Sequence, residues 1–339
     1  MLLRFSNAVL LLVLLFGTGC TGDGHHTAEV DTAPVELSIG RLDHALFHAD
    51  PDSMATANLR NYAEYGEFYR IYIEDILQGA PLNDPRLPMV LQRFVSDPDW
   101  SEVQHSVDSV LGDLGPQRLA FEQAFGRLKV LFPDSLTPRI VAFNSGFNYG
   151  IFPTDSVLGV GVEWFIGKDH PVIGHLAPEA FPHYVKDRMV PGMLVPSAVK
   201  GWLLVHYTRD IGGVDLLTNL VETGKIMYLL RSVLPPEDPH FAFAFSPEQL
   251  AWCEANEYLI WKDIVGKEQL FSTKVDDIGR IMNDAPFTNG FPRESPGHIG
   301  EWIGYRMVSA YMSSNPKTTI PQLLALDDPR VILMEYKPR

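Results

Sequence analysis

Pro296-Gly297-His298-Ile299-Gly300-Glu301-Trp302-Ile303-Gly304 places three glycines at positions i, i+3 and i+7 of a segment that opens with a proline. On a helix these positions share one face, where the missing side chains let another backbone approach closely. A glycine inside a helix costs up to about 1 kcal/mol relative to alanine. The block therefore predicts a helix over Gly297–Met312 with a second segment packed directly against its glycine face.

Helical spacing of apolar residues continues outward from this block through most of the chain. The other predicted helices cover Ser53–Leu77, a segment opened by Asp84-Pro85, Trp100–Val110, Leu119–Leu131, Ser197–Tyr207, Val214–Leu230, Pro247–Ile264 and Val275–Met282. Strands are predicted over Pro138–Asn144, Val157–Phe165 and Val331–Tyr336. Because strands and helices do not alternate regularly, the predicted class is α+β, mainly α-helical, with a small central sheet.

The N-terminus carries the pattern of an export signal. Arg4 supplies a positive charge, residues 8–16 form an unbroken apolar run, and the small residues 17–19 lead to Cys20. The run is too short for a stable membrane-spanning helix, and small residues before a cysteine favour cleavage. We therefore expect a bacterial lipoprotein whose Cys20 is acylated. The alternative is an ordinary secretory signal that happens to contain a cysteine.

These observations divide the chain into three predicted parts. Residues 1–19 form the signal peptide, and residues 20–34 are polar, without periodicity, and read as a flexible tether. No second linker follows, so residues 35–339 are expected to form a single globular domain. That body would lie in the cell envelope and face the periplasm, held to a membrane by its lipid.

The composition limits the classes of partner. The 339-residue chain is 46% hydrophobic and carries a net charge of −15. Affinity for nucleic acid requires a basic face, so the acidic balance argues against that role. Once Cys20 is acylated only Cys253 remains, which excludes an intramolecular disulfide. There is no P-loop, dinucleotide fingerprint, nucleophile elbow or paired-cysteine metal motif, so no cofactor, metal or catalytic residue is predicted.

One helical segment carries residues at a spacing similar to that of a zincin. His206 and Asp210 lie four residues apart, hence on one helix face, and Glu222 follows later. Tyr207 occupies the place of the general-base glutamate, and a phenol with a pKa of about 10 is a poor base near neutral pH. The set is interpreted either as a vestigial metal site or as a chance histidine on an ordinary helix.

A second helical segment, Asn256-Glu257-Tyr258-Leu259-Ile260-Trp261, combines polar and aromatic residues. Asn256 and Glu257 are expected to join a buried polar network against which Trp261 packs, since buried polar groups need partners. Together with the glycine block they define a predicted structural or functional surface, whose members are Asn256, Glu257, Trp261, Gly297, Gly300, Trp302 and Gly304.

The order of several blocks resembles the gliding motility-associated lipoprotein family GldB of the Bacteroidota and their relatives. The block around Gly297–Gly304 is the most specific part, and the resemblance spans most of the expected mature chain. The matching blocks are Arg41–Phe47, Gly224–Leu229 with Leu234-Pro235, Phe245–Trp252 with Asn256-Glu257 and Trp261, Ala285–Phe287, Pro296–Gly304 and Tyr311-Met312.

The resemblance implies a lipid-anchored envelope protein that supports gliding motility and the associated type IX secretion apparatus by binding other envelope proteins. It also implies a fold similar to that of zincin-type proteases, but without their HExxH motif. The family has no established catalytic residues that could be assigned to this chain. The main alternative is a divergent envelope metallopeptidase using His206, Asp210 and Glu222. A further alternative is a periplasmic ligand-binding protein, on the strength of the aromatic content.

Overall fold

The computed structural model describes residues 30–209 and 214–339. Within them lie seventeen α-helices and four strands. The elements that precede the helix of the zincin-like set are β1 (Ile39–Arg41), α1 (Leu42–Phe47), α2 (Met54–Tyr65), α3 (Glu67–Ile71), α4 (Leu87–Val95), α5 (Pro98–Leu111), α6 (Gly115–Leu131), β2 (Arg139–Phe143), β3 (Ile151–Pro153), β4 (Val157–Gly161), α7 (Pro171–His175) and α8 (His183–Lys186).

The remaining helices follow α8. They are α9 (Leu194–Tyr207), α10 (Leu216–Val233), α11 (Pro239–Phe243), α12 (Pro247–Ala255), α13 (Glu257–Gly266), α14 (Val275–Met282), α15 (Ile299–Ser314), α16 (Ile320–Leu324) and α17 (Pro329–Leu333). The expected class, α+β and mainly α-helical with a small sheet, is confirmed. Among the described residues, no helix combines the length and apolar character needed to cross a bilayer.

The sheet has the strand order β1-β2-β4-β3. Strand β2 pairs in parallel with both β1 and β4, while β3 pairs antiparallel with β4 at the edge. Side chains alternate across a strand, so β2 contributes to two cores. Ile140 and Ala142 face the larger one, and Val141 and Phe143 face the smaller one, which is built mainly from α1 to α4. The sheet thus lies between two layers of helices.

Each glycine of the block is closely approached by another segment, but the three glycines meet three different segments and the helix begins later than predicted. Gly304 in α15 lies against α10 at Gly224: a Cβ placed on Gly224 would come 2.8 Å from the Gly304 Cα. A Cβ on Gly300 would come 2.9 Å from Ile281 Cγ2. Gly297 precedes the helix, which starts at Ile299, and packs against the backbone of Ala285.

Four predicted elements were wrong in detail. The strand predicted over Val157–Phe165 ends at Gly161 and is followed by a 3₁₀ helix over Val162–Phe165. The Ser53–Leu77 helix is broken at Gly66, whose φ of 53° is the left-handed conformation that glycine adopts without steric cost. The Pro247–Ile264 helix is interrupted at Asn256. The predicted strand at Val331–Tyr336 is instead helix α17 and the turn after it, because the Asp328 side chain accepts from the Arg330 N–H and caps the helix.

Two short strands were missed. Strands β1 and β3 have three residues each, too few to show an alternating pattern in the sequence. Both are stabilised by pairing with longer strands rather than by local preference. Strand β1 joins β2, which lies about a hundred residues later in the chain.

Candidate functional site

Two cavities of about 460 and 340 Å³ meet around Phe241 on α11. Both are lined by Arg188, Met193, Phe241 and Ala244, so they form one surface feature, which we call the Phe241 groove. The larger cavity is completed by residues including Lys168, Tyr184, His240 and Glu248. The smaller is completed by residues including Trp164, Met189, Lys200 and Asp284.

Asp284 is the charged centre of the groove wall. Arg188 donates through both Nη atoms to the two carboxylate oxygens, at 2.8 and 2.9 Å, and its guanidinium lies over the ring of Tyr184. His298 Nδ1 lies 3.0 Å from the same carboxylate. Burial raises the pKa of Asp284, but hydrogen bonds from His298 and Arg188 outweigh it and hold the pKa well below its usual range. Asp284 is therefore a fixed anion with two donors.

His298 links this anion to the core. Its Nε2 lies 3.0 Å from the carbonyl oxygen of Phe243, so both ring nitrogens face acceptors. The two contacts fix the orientation of the ring. The backbone of His298 has a φ of 38°, and its N–H donates to the Asn283 carbonyl oxygen, which fixes the start of α15. A strained, buried histidine in the glycine block thus positions one wall of the groove.

A second ion pair joins α9 to α15 at the groove. Lys200 Nζ donates to both carboxylate oxygens of Glu301, at 2.8 and 2.6 Å, and both side chains are largely buried. Glu301 lies in the first turn of α15, where a negative charge is favoured by the helix dipole. The Lys200–Glu301 pair is thus held between two helices, whereas Arg188 and Asp284 lie in the loops that follow α8 and α14.

The predicted polar network around Glu257 exists, with partners that the sequence did not indicate. Glu257 is 3% exposed, accepts from Arg306 Nε at 3.1 Å and Nη2 at 2.8 Å, and accepts from the Tyr336 hydroxyl at 3.0 Å. Trp261 packs edge-on against the Tyr336 ring. Asn256 instead donates to the Trp252 carbonyl oxygen in its own helix turn. Glu257 and Trp261 thus lie in one cluster that fastens α13 to α15 and the C-terminus.

Trp302 is buried, and Arg306 lies over its ring at 5.6 Å. With Gly297, Gly300 and Gly304 it belongs to the packing of α15 described above. These residues support the groove through the position of α15. The groove residues Arg188, Lys200 and Asp284 were not predicted, because they lie in separate segments and share no spacing in the sequence. The same holds for Glu301, the ion-pair partner of Lys200.

The zincin-like set is only partly described. His206 stacks on Trp202 and lies 3.1 Å from the Thr154 carbonyl oxygen, beside the edge strand β3. Glu222 accepts from Lys225 at 2.6 Å and from Arg209 at 3.3 Å, so two cations already hold its carboxylate. Asp210 and Cys20 lie outside the described residues. The metal-site interpretation of these residues stays a prediction.

The fold and the site define a mainly helical α+β protein whose groove is built from paired charges and aromatic side chains. The chain belongs to the family of the gliding motility protein GldB, whose model matches residues 23–338. It is thus a member of a family of gliding motility-related lipoproteins. No curated protein and no solved structure matches the chain.

Proposed function

We propose that this protein is anchored to a cell-envelope membrane by lipid on Cys20 and supports gliding motility and type IX secretion by binding another envelope protein of that machinery. The observation that carries the proposal is the family match over residues 23–338. The family is described by its role in motility rather than by a reaction, which favours binding over catalysis.

The Phe241 groove is the surface that we assign to this partner. Aromatic and methionine side chains are enriched at protein interfaces, and the groove has Tyr184, Phe241 and Met193 in its lining. Its ion pairs, such as Arg188 with Asp284, are already satisfied within the chain. A partner therefore does not have to compensate for a buried unpaired charge, and apolar contact with the aromatic residues provides the attraction.

Deleting the gene in the source organism tests the role. Surface spreading and the secreted proteome are compared in the deletion strain with and without a wild-type copy. We expect both to be lost in the deletion strain and both to return with the wild-type copy. Unchanged spreading and secretion after deletion would contradict the proposal.

Two variants then test the mechanism in the complemented strain. Cys20→Ala should release the protein from the membrane fraction and abolish spreading, since the thiol accepts the lipid. Tyr184→Ala should reduce spreading at normal protein abundance, whereas Tyr258→Ala, which removes a tyrosine 54% exposed on α13, should not. Equal spreading of the strains with the two tyrosine variants would show that the Phe241 groove is not the surface that binds the partner.

A further inference from the structure

His44 and His48 bring their Nε2 atoms to the two oxygens of one carboxylate. His44 Nε2 lies 2.6 Å from Asp108 Oδ1, and His48 Nε2 lies 2.8 Å from Asp108 Oδ2. The two rings stack with centroids 4.5 Å apart. The three ligand atoms lie within 4.8 Å of one another, and no other group of three potential ligands is this close among the described residues.

The arrangement depends on two helices that are distant in sequence. His44 lies in α1 and His48 caps its C-terminus, so the two share a face at the i, i+4 spacing. Asp108 lies in α5, about sixty residues later. The sequence shows the histidine pair but gives no sign of its carboxylate partner, which is why the cluster was not predicted.

The surroundings hold the Asp108 carboxylate in place. His44, His48 and Gln104 all contact its two carboxylate oxygens. The buried Gln104 side chain donates at 3.0 Å to Asp108 Oδ1 and at 3.1 Å to Asp43 Oδ2, which fixes the carboxylate from behind. Arg41 Nη2 lies 2.7 Å from Asp43 Oδ2 and 3.7 Å from Asp108 Oδ1. The carboxylates of Asp43 and Asp108 therefore share the single positive charge of Arg41.

We propose that His44, His48 and Asp108 form a binding site for a divalent transition-metal ion, with Zn²⁺ the best fit to two imidazoles and one carboxylate. A tetrahedral ion with bonds of about 2.1 Å separates its ligands by roughly 3.3 Å. The two N–O distances, 2.6 and 2.8 Å, must therefore open by roughly 0.5–0.7 Å as the ion replaces the bridging protons. The exposed fractions of the His44 and His48 side chains, 34% and 54%, leave room for this movement and for a water as fourth ligand.

Occupation of the site would tie α1 to α5. Helix α1 directly follows β1, the first strand of the sheet, on the side of the chain that leads to the lipid anchor. The ion would thus stabilise the part of the domain closest to its tether. This inference does not rest on the proposed role in motility.

Zinc binding to the full mature chain in detergent tests the proposal. The protein is purified without a polyhistidine tag, in a His25→Ala/His26→Ala background, because the paired histidines before the domain could also bind metal. After chelator treatment, Zn²⁺ is titrated calorimetrically and Co²⁺ by visible absorption. We expect one ion per chain, a tetrahedral Co²⁺ spectrum and a higher melting temperature with Zn²⁺.

His44→Ala, His48→Ala and Asp108→Asn should each weaken Zn²⁺ affinity by about 100-fold or more, since even outer ligands change affinity 10- to 100-fold. His105→Ala, which removes an exposed histidine from the same helix α5, should leave affinity unchanged. Circular dichroism of each variant checks folding. If another variant does not fold, the Zn²⁺ affinity of His48→Ala alone tests the proposal. Absence of stoichiometric binding by the parent chain, or binding that depends on His206 and not on His44, would overturn the proposal.

Discussion

Gly224 and Gly304 meet backbone to backbone where α10 crosses α15. A Cβ on Gly224 would lie 2.8 Å from the Gly304 Cα, and a Cβ on Gly304 would lie 3.1 Å from the Gly224 Cα. Real Cβ atoms essentially never come closer than 3.0 Å to a backbone atom. The crossing therefore requires glycine on both helices, and it places α15, with His298 and Glu301 at its start, against the groove.

Gly304→Ala should lower the free energy of unfolding by about 1–3 kcal/mol or more, because the added methyl group has only the backbone of α10 to displace. Urea denaturation measures the change. Gly266→Ala is the matched control, since nothing lies within 4 Å of its Cβ position. That substitution should be neutral or stabilising by about 0.4–1 kcal/mol. Similar losses in both variants would contradict the argument.

Removing Arg306 should destabilise the protein more than removing the Tyr336 hydroxyl. Arg306→Met leaves the buried Glu257 carboxylate without its charged partner, which costs roughly 3–5 kcal/mol. Tyr336→Phe removes one hydrogen bond, worth about 1 kcal/mol. Urea denaturation of the two single variants and the double variant measures the coupling. Equal effects of the two single substitutions would refute this order.

Glu163 should make stability depend on pH. Burial raises the pKa of this carboxyl to about 7 against opposing hydrogen bonds from Ser145 and Phe147, while its ordinary value is 4.5. Because the pKa of Glu163 is higher in the folded state, the contribution of this side chain to the free energy of unfolding is fully present below pH 4.5. It is lost as the pH rises through 7. Its Oε2 has no hydrogen-bond partner among the described residues, so the protonated form is favoured there.

Glu163→Gln keeps this side chain neutral at every pH. Between pH 4.5 and pH 7.5 the wild type should lose on the order of 3 kcal/mol relative to this variant. Urea denaturation at half-unit pH intervals measures the difference between the two proteins, which cancels the contribution of other groups. A constant difference over that range would contradict the assignment.

Asp284 should show the opposite pH dependence. The pKa of Asp284 in the folded protein lies below the ordinary value of 3.8. The contribution of this side chain to the free energy of unfolding is therefore present above pH 3.8 and is lost as the pH falls through the folded pKa. Asp284→Asn should therefore be less stable than the wild type at pH 6, and the gap should narrow on acidification toward pH 2. The exposed Asp155 provides the control: Asp155→Asn should change stability by less than about 0.5 kcal/mol at both pH values.

The fold was predictable where it depends on neighbouring residues. Helical periodicity predicted α5, α6, α9, α10 and α14 closely, because the residues that share a helix face recur within four positions. The break at Gly66 and the capped helix at Pro329 are also local, but they depend on backbone conformation and on one side-chain hydrogen bond. Apolar spacing alone does not contain that information.

The sites were predictable only as isolated residues. Glu257 and Trp261 were singled out, while their partners Arg306 and Tyr336 come from other elements. The sequence by itself determined the helical class, the family blocks and the glycine face of α15, since each depends on short-range spacing. Only the tertiary structure decided that Asp284 faces Arg188 and His298, and that Asp108 faces His44 and His48. These contacts form between segments far apart in the chain, so the packing of helices onto one another determines them.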